Sequence, residues 1–171
     1  MKYEVIDNFL DEEYFNSLVT FFTGIGAEVE QLPWFFRRRL NPDHNTAEDN
    51  LFYMIHTVYE NNMPLSSAFE KLIPLLQKLE VVCLMRIRGN LFPNTGTLHE
   101  HTMHIDYPFL HSGAILSLNT CDGYTKLEDG TKIDSVANRI LLFDPSKKHC
   151  STTTTNTAAR FNININYIQE Q

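Results

Sequence analysis

His104-Ile105-Asp106, His149 and Arg160 are the residues of this chain whose types and spacing best suit chemistry. Two imidazoles and one carboxylate form a facial ligand set. Such a set holds a divalent iron on one side and leaves the opposite positions open. Side chains at i and i+2 of an extended segment point to the same face, so His104 and Asp106 can reach one metal together. His149 lies far along the chain, so the fold must bring it up on another element. Arg160 opens the run Arg160-Phe-Asn-Ile-Asn-Ile-Asn-Tyr167. Its planar guanidinium suits bidentate capture of a carboxylate.

Other histidines crowd the same region. Of His99, His101, His104 and His111, only His104 has a carboxylate two residues on. His101 is the fallback ligand. His99 and His111 read as surface or pocket-rim residues, and His44 and His56 carry no pattern. Pro93, Gly96 and Pro108 argue against a helix through His101 and His104.

The elements that must position these residues follow from periodicity and turn chemistry. Residues 3–6 read as a strand. Asp11 suits an N-cap for a helix over 12–22, where Phe15, Leu18, Val19 and Phe22 recur at helical spacing and Gly24 and Gly26 end it. Aromatic, β-prone runs cover 34–40 and 51–59, joined by a polar loop over 41–50. A second helix spans 66–79, and Pro74 should kink or split it. Strands are expected near 81–92, 113–119, 125–127, 132–133, 139–143 and 159–168, with Asp129-Gly130 as a hairpin turn. The threonine run 152–155 reads as a surface loop. Helices first and many short strands after predict an α+β chain with a jelly-roll core.

Period two sorts the site strands into faces. Arg160, Asn162 and Asn164 share one face of the last strand, and Phe161, Ile163, Ile165 and Tyr167 share the other. The apolar face suits packing under the N-terminal helices. If Arg160 faces a pocket, Asn162 and Asn164 become donors around an anionic ligand; otherwise that face meets solvent. Residues 81–90 behave alike. Arg86, Arg88 and Asn90 oppose Cys83, Met85 and Ile87, and Arg88 is the better candidate for an acidic group.

The ordered set of H-x-D, distal histidine and basic residue, with its intervening strands, resembles the iron(II)- and 2-oxoglutarate-dependent dioxygenases, in particular their prolyl-4-hydroxylase-like branch. The resemblance covers about residues 81–168. It implies a double-stranded β-helix (jelly-roll, cupin-like) core with the N-terminal helices packed outside the major sheet. It implies iron held by His104, Asp106 and His149, with 2-oxoglutarate and O2 as cosubstrates and ascorbate as an in vitro reductant. Arg160 would pair the distal carboxylate of 2-oxoglutarate, with Asn162 and Asn164 nearby. The reaction implied is hydroxylation of a C–H bond in a peptide residue such as proline, or in a small metabolite. Ser117 stands where the family commonly has a tyrosine that contacts that carboxylate, and Tyr124 could supply the hydroxyl instead. Two other readings stay open. One is a cupin-like metal enzyme without 2-oxoglutarate, which leaves Arg160 without a task. The other is a non-catalytic jelly-roll binding domain.

Composition bounds the rest. The 171 residues suit one domain, with 1–80 as helical and strand support and 81–171 as core. A formal charge of −7 disfavours a nucleic-acid binder. Arg37-Arg38-Arg39 is the one basic run, a solvated stretch or a contact for an anion. Cys83, Cys121 and Cys150 are odd in number and far apart, which fits a reducing compartment rather than a disulfide framework. Cys150, beside His149, reads as a core cysteine rather than a second metal or redox group. No apolar run approaches the ~20 residues of a membrane span, and a cytoplasmic location is expected. Trp34-Phe35-Phe36 and residues 90–101 could form a substrate lid, or belong to the core.

Overall fold

The computed structural model describes residues 2–25, 32–38 and 51–170. The expected loop 41–50, the helix end at Gly26, Arg39, Leu40 and His44 lie outside them. Among the described residues the order is β1 (Tyr3–Ile6), α1 (Glu12–Thr23), β2 (Phe35–Arg37), β3 (Tyr53–Glu60), β4 (Met63–Pro64), α2 (Ala68–Lys78), β5 (Cys83–Pro93), β6 (Ser112–Ser117), β7 (Tyr124–Leu127), β8 (Lys132–Asp134), β9 (Ile140–Phe143), β10 (His149–Ser151) and β11 (Ala159–Ile168).

Helix α1 starts where capping chemistry places it. The Asp11 carboxylate accepts from the Glu13 and Tyr14 amides at 3.0 and 3.3 Å, and Gly24 closes the helix at φ 70°, a conformation glycine reaches without steric cost. Phe15, Leu18 and Phe22 form its buried stripe. Helix α2 runs from Ala68 to Lys78 with Pro74 inside it. The expected split does not occur, because Ala68, Leu72 and Leu75 are buried on both sides of the proline, and packing overrides the lost hydrogen bond.

The large sheet has the order β1-β9-β6-β11-β5-β3-β2, with β4 paired to β3, and every pairing is antiparallel. The small sheet is β10-β7-β8. The β7–β8 hairpin turns at Gly130, whose φ is 88°, as the Asp-Gly signal requires. Ile115, Leu127, Leu141 and Phe143 pack between the two sheets. A larger apolar cluster joins Leu18 and Phe22 of α1 and Leu72 and Leu75 of α2 to Ile163 and Ile165 of β11. The alternation read from β11 therefore sends its two faces to two places: the isoleucines to the helices, and Arg160, Asn162 and Asn164 toward the small sheet. This is a jelly roll, mostly antiparallel, with two helices among the described residues.

Two expectations change. The threonine run is not a surface loop: Thr152, Thr153 and Thr154 are fully buried. Their hydroxyls bond the Tyr124 carbonyl, the Thr97 carbonyl and the Asp122 carboxylate, which makes the run an internal tie between loops. Strand β10 has no counterpart in the sequence reading. It is three residues long, too short for alternation to register.

Candidate metal centre and pocket

His104 and His149 are brought together by their own backbones. Each amide donates to the other's carbonyl at 2.9 Å, a reciprocal antiparallel pair. Their rings lie side by side, with centroids 4.5 Å apart. The segment around His104 makes this single bridge and is no regular strand, yet the i, i+2 geometry still delivers Asp106. Its amide is anchored on the Pro145 carbonyl at 2.9 Å. One donor atom from each of His104, Asp106 and His149 lies within 4.8 Å of the others.

Both rings are oriented from behind. His104 Nδ1 lies 3.4 Å from the Thr102 carbonyl, and His149 Nδ1 lies 3.0 Å from the Lys147 carbonyl. An Nδ1–H donated to a carbonyl leaves the Nε2 lone pair free for a metal. Burial, aided by His149, pushes His104 down to about 4, so its ring is neutral at pH 7, the form that ligates. Burial alone would raise the Asp106 carboxyl. Arg86, His149 and His104 outweigh it and hold the group below its ordinary value. Arg86 contacts Asp106 Oδ1 at 2.8 Å, and Asn164 Nδ2 donates to Oδ2 at 3.3 Å.

The triad opens on a cavity of about 320 Å³ lined in part by Tyr53, Arg86, Arg88, Asn90, Phe92 and Asn162. Arg160 stands one layer behind, with Phe92 over its guanidinium at 5.6 Å. It is 1% exposed. It donates to Thr125 Oγ1 at 2.9 Å and, at 3.4 Å, to the Thr152 carbonyl, while its Nε has no partner. No described carboxylate pairs with it. Burial pulls it down to about 10, so it remains cationic at pH 7. A buried cation without a counter-charge is costly.

Several site assignments shift. The Tyr124 hydroxyl does not face Arg160; it donates to Glu100 at 2.6 Å and accepts from Lys132 at 2.9 Å. Alternation along β7 turns Tyr124 away and Thr125 inward, so Thr125 supplies the hydroxyl beside Arg160. Ser117 is buried in β6 opposite Asn162 but does not line the cavity. Asn162 accepts from Asn90 at 2.9 Å, and Asn164 serves Asp106 rather than an anion beside Arg160. Arg86 contacts the Asp106 carboxylate, while Arg88 lines the cavity and pairs with Glu60 at 2.6 Å. His111 is buried rather than on the rim, bonded to Asn166 Oδ1 at 2.9 Å. His101 lies outside the His104–Asp106–His149 cluster and packs on Phe92 and Tyr53, with centroids 5.3 and 6.1 Å apart. Trp34 packs on Phe161 and on Gly89, away from the cavity, and Phe35 and Phe36 do not line it. Cys150 is buried, as a core cysteine should be, and burial pushes its thiol up.

Sequence matching finds no family model and no curated protein similar to this chain. Solved structures do resemble it. A Pseudomonas putida prolyl-4-hydroxylase is 14% identical with a TM-score of 0.62, over 98% of this chain and 92% of that one. A Trichoplax adhaerens prolyl hydroxylase, in complex with a hypoxia inducible factor peptide fragment, is 16% identical with a TM-score of 0.61, over 98% and 83%. The α-ketoglutarate-dependent epimerase SnoN of nogalamycin biosynthesis is 10% identical with a TM-score of 0.65, over 98% and 76%. The chain has the fold of the 2-oxoglutarate/iron(II) oxygenases, in its prolyl-hydroxylase-like form. That fold serves both hydroxylation and epimerisation in these neighbours, so the reaction must be argued from the site. No described helix is long and apolar enough to cross a membrane.

Gly123 tests how tightly the Arg160 chamber is packed. A Cβ there would lie 2.7 Å from both Arg160 Cδ and the Thr153 carbonyl. Gly123→Ala should destabilise the protein by about 1–3 kcal/mol, the usual cost of overpacking, measured by urea unfolding. An unchanged midpoint would show that the chamber yields freely.

Proposed function

We propose that residues 1–171 form a single iron(II)- and 2-oxoglutarate-dependent oxygenase domain that oxidises a C–H bond of a peptide residue or small metabolite. In this reading the two helices cover the outer face of the large sheet and leave its inner face to the site. The observation that carries it is the pairing of half-buried His104 and Asp106 and buried His149 with a buried Arg160, one layer away, that no described carboxylate pairs. A metal-binding jelly roll without 2-oxoglutarate accounts for the first but leaves the second uncompensated.

The donor set fits a divalent iron. His104 and His149 would hold it through Nε2, and Asp106 through a carboxylate oxygen. When bound with 2-oxoglutarate and O2, iron supplies oxidising power for the C–H bond, with succinate and carbon dioxide as coproducts. The chain's own task is positioning and charge. The Thr102 and Lys147 carbonyls fix the two imidazole tautomers. Arg86 and Asn164 hold Asp106 and balance its charge. Arg160 would receive the distal carboxylate of 2-oxoglutarate, with Thr125 beside it, in a chamber that Phe92 shields from water. Charge-assisted bonds gain strength in such a low-dielectric setting.

Oxygenases of this type turn over 2-oxoglutarate slowly without substrate. Purified protein with iron(II), 2-oxoglutarate, ascorbate and oxygen should therefore release succinate well above a His149→Ala control. Equal release from both proteins would remove catalytic support for the assignment.

A further inference from the structure

Two arginines line the cavity: Arg86, which holds Asp106, and Arg88, which binding of the metal and 2-oxoglutarate does not explain. They sit on the inward face of β5, directly across from Asn166 and Asn164 of β11, and Asn90 follows them across from Asn162. The cavity wall is therefore a ladder of cations and amides, in a chain whose net charge is −7. Arg86 is occupied: it pairs with Asp106 and lies over the Tyr107 ring at 5.2 Å. Arg88 is less committed. One Nη donates to Glu60 Oε1, both side chains are partly exposed, and its Nε has no partner.

Arg37 does not line this cavity; it lines a separate surface pocket. Arg37 of β2 is opposite Tyr53 of β3 in the register, and Tyr53 lines the cavity. Burial pushes the Tyr53 phenol up, while Arg88, Arg37 and Arg86 pull it back in that order. Arg86 and Arg88 both line the cavity.

Charge balance sharpens the point, and here the argument rests on the function proposed above. The cations are a divalent metal, Arg86, Arg88 and Arg160. They face the 2-oxoglutarate dianion, Asp106 and Glu60. One positive charge is left over. A neutral substrate would leave that charge in a low-dielectric pocket without a partner. A singly charged anion removes the imbalance, and a guanidinium flanked by a carboxamide suits a carboxylate. We propose that the substrate carries a carboxylate and that Arg88, with Asn90 alongside, receives it. The carboxylate could belong to a small organic acid or to an acidic side chain of a peptide.

The test uses the full chain loaded with nickel(II), which does not turn over, and saturated with 2-oxoglutarate. Three probes are titrated with ligand-observed NMR: N-acetyl-L-alanine, its neutral amide, and the blocked peptide acetyl-Ala-Glu-Ala-amide. At least one acidic probe should bind about tenfold or more tightly than the amide, as a charge-assisted bond implies. The better acidic probe tells a free acid from a peptide side chain. Arg88→Gln should erase the preference and Arg88→Lys should restore part of it, while 2-oxoglutarate affinity stays within about twofold. Equal binding of acids and amide, or an unchanged preference in Arg88→Gln, overturns the proposal. So does a loss of 2-oxoglutarate affinity in Arg88→Gln, which would assign Arg88 to the cosubstrate. Wild-type protein that binds nickel but no 2-oxoglutarate removes the charge surplus at its source, and marks the failure as one of the functional reading.

Discussion

His104→Ala, Asp106→Ala and His149→Ala should each abolish specific iron binding and all iron-dependent turnover. Each removes one of three protein donors. The loss should exceed the roughly 10- to 100-fold that removing a supporting outer residue costs. The three variants should differ in stability, because their neighbours differ. His104 is a neutral ring at pH 7, and its loss strands no charge. Asp106 compensates Arg86 at 2.8 Å in a buried setting, so Asp106→Ala should also destabilise the fold by about 3–5 kcal/mol. Asp106→Asn keeps an acceptor for Arg86 and should recover part of that loss without restoring the metal. His101→Ala should retain metal binding, since that ring packs on Phe92 and Tyr53 instead. Metal content by inductively coupled plasma analysis and urea unfolding check both halves. Loss of metal in His101→Ala with retention in His104→Ala would shift the ligand register.

The second large effect is expected at Arg160. Arg160→Met should weaken 2-oxoglutarate binding by roughly 10- to 150-fold, because a charge-assisted bond contributes about 1.5–3 kcal/mol. Metal affinity should change little. In the absence of 2-oxoglutarate the variant should be as stable as the wild type or more so, since an apolar side chain replaces a buried cation that no described carboxylate compensates. Arg160→Lys should recover part of the affinity, keeping the charge but losing the fork. Calorimetric titration of the metal-loaded proteins measures the first effect, and thermal unfolding the second. A marked loss of stability in Arg160→Met would mean that the guanidinium serves the fold rather than a ligand.

The parts of this account that were legible in the sequence are those set by short, regular rules. The i, i+2 spacing of His104 and Asp106, the Asp11 and Gly24 caps and the two faces of β11 all follow from local geometry. What was not legible depends on cross-strand register. Thr125, rather than Ser117 or Tyr124, meets Arg160 because β7 turns its odd residue inward, and only the pairing of β7 with β8 and β10 fixes that phase. Arg86 reaches Asp106 and Arg88 pairs with Glu60 because β5 carries both on one face and their order along the cavity is a tertiary fact. The buried threonines looked exposed because their hydroxyls satisfy loop backbone that the sequence does not pair in advance. Alternation along 124–127 held the signal for Thr125, but a strand of four residues is too short to show which face is inner.

The most direct test of the central claim is the anaerobic titration of 2-oxoglutarate into the iron(II)-loaded protein, followed by visible absorption. The account predicts a saturable metal-to-ligand charge-transfer band at one 2-oxoglutarate per chain. The band should be absent in His149→Ala, and in Arg160→Met it should appear only at much higher ligand concentration. Stoichiometric iron binding with no such band at any concentration would contradict the account, leaving a jelly roll that holds a metal but does not use 2-oxoglutarate.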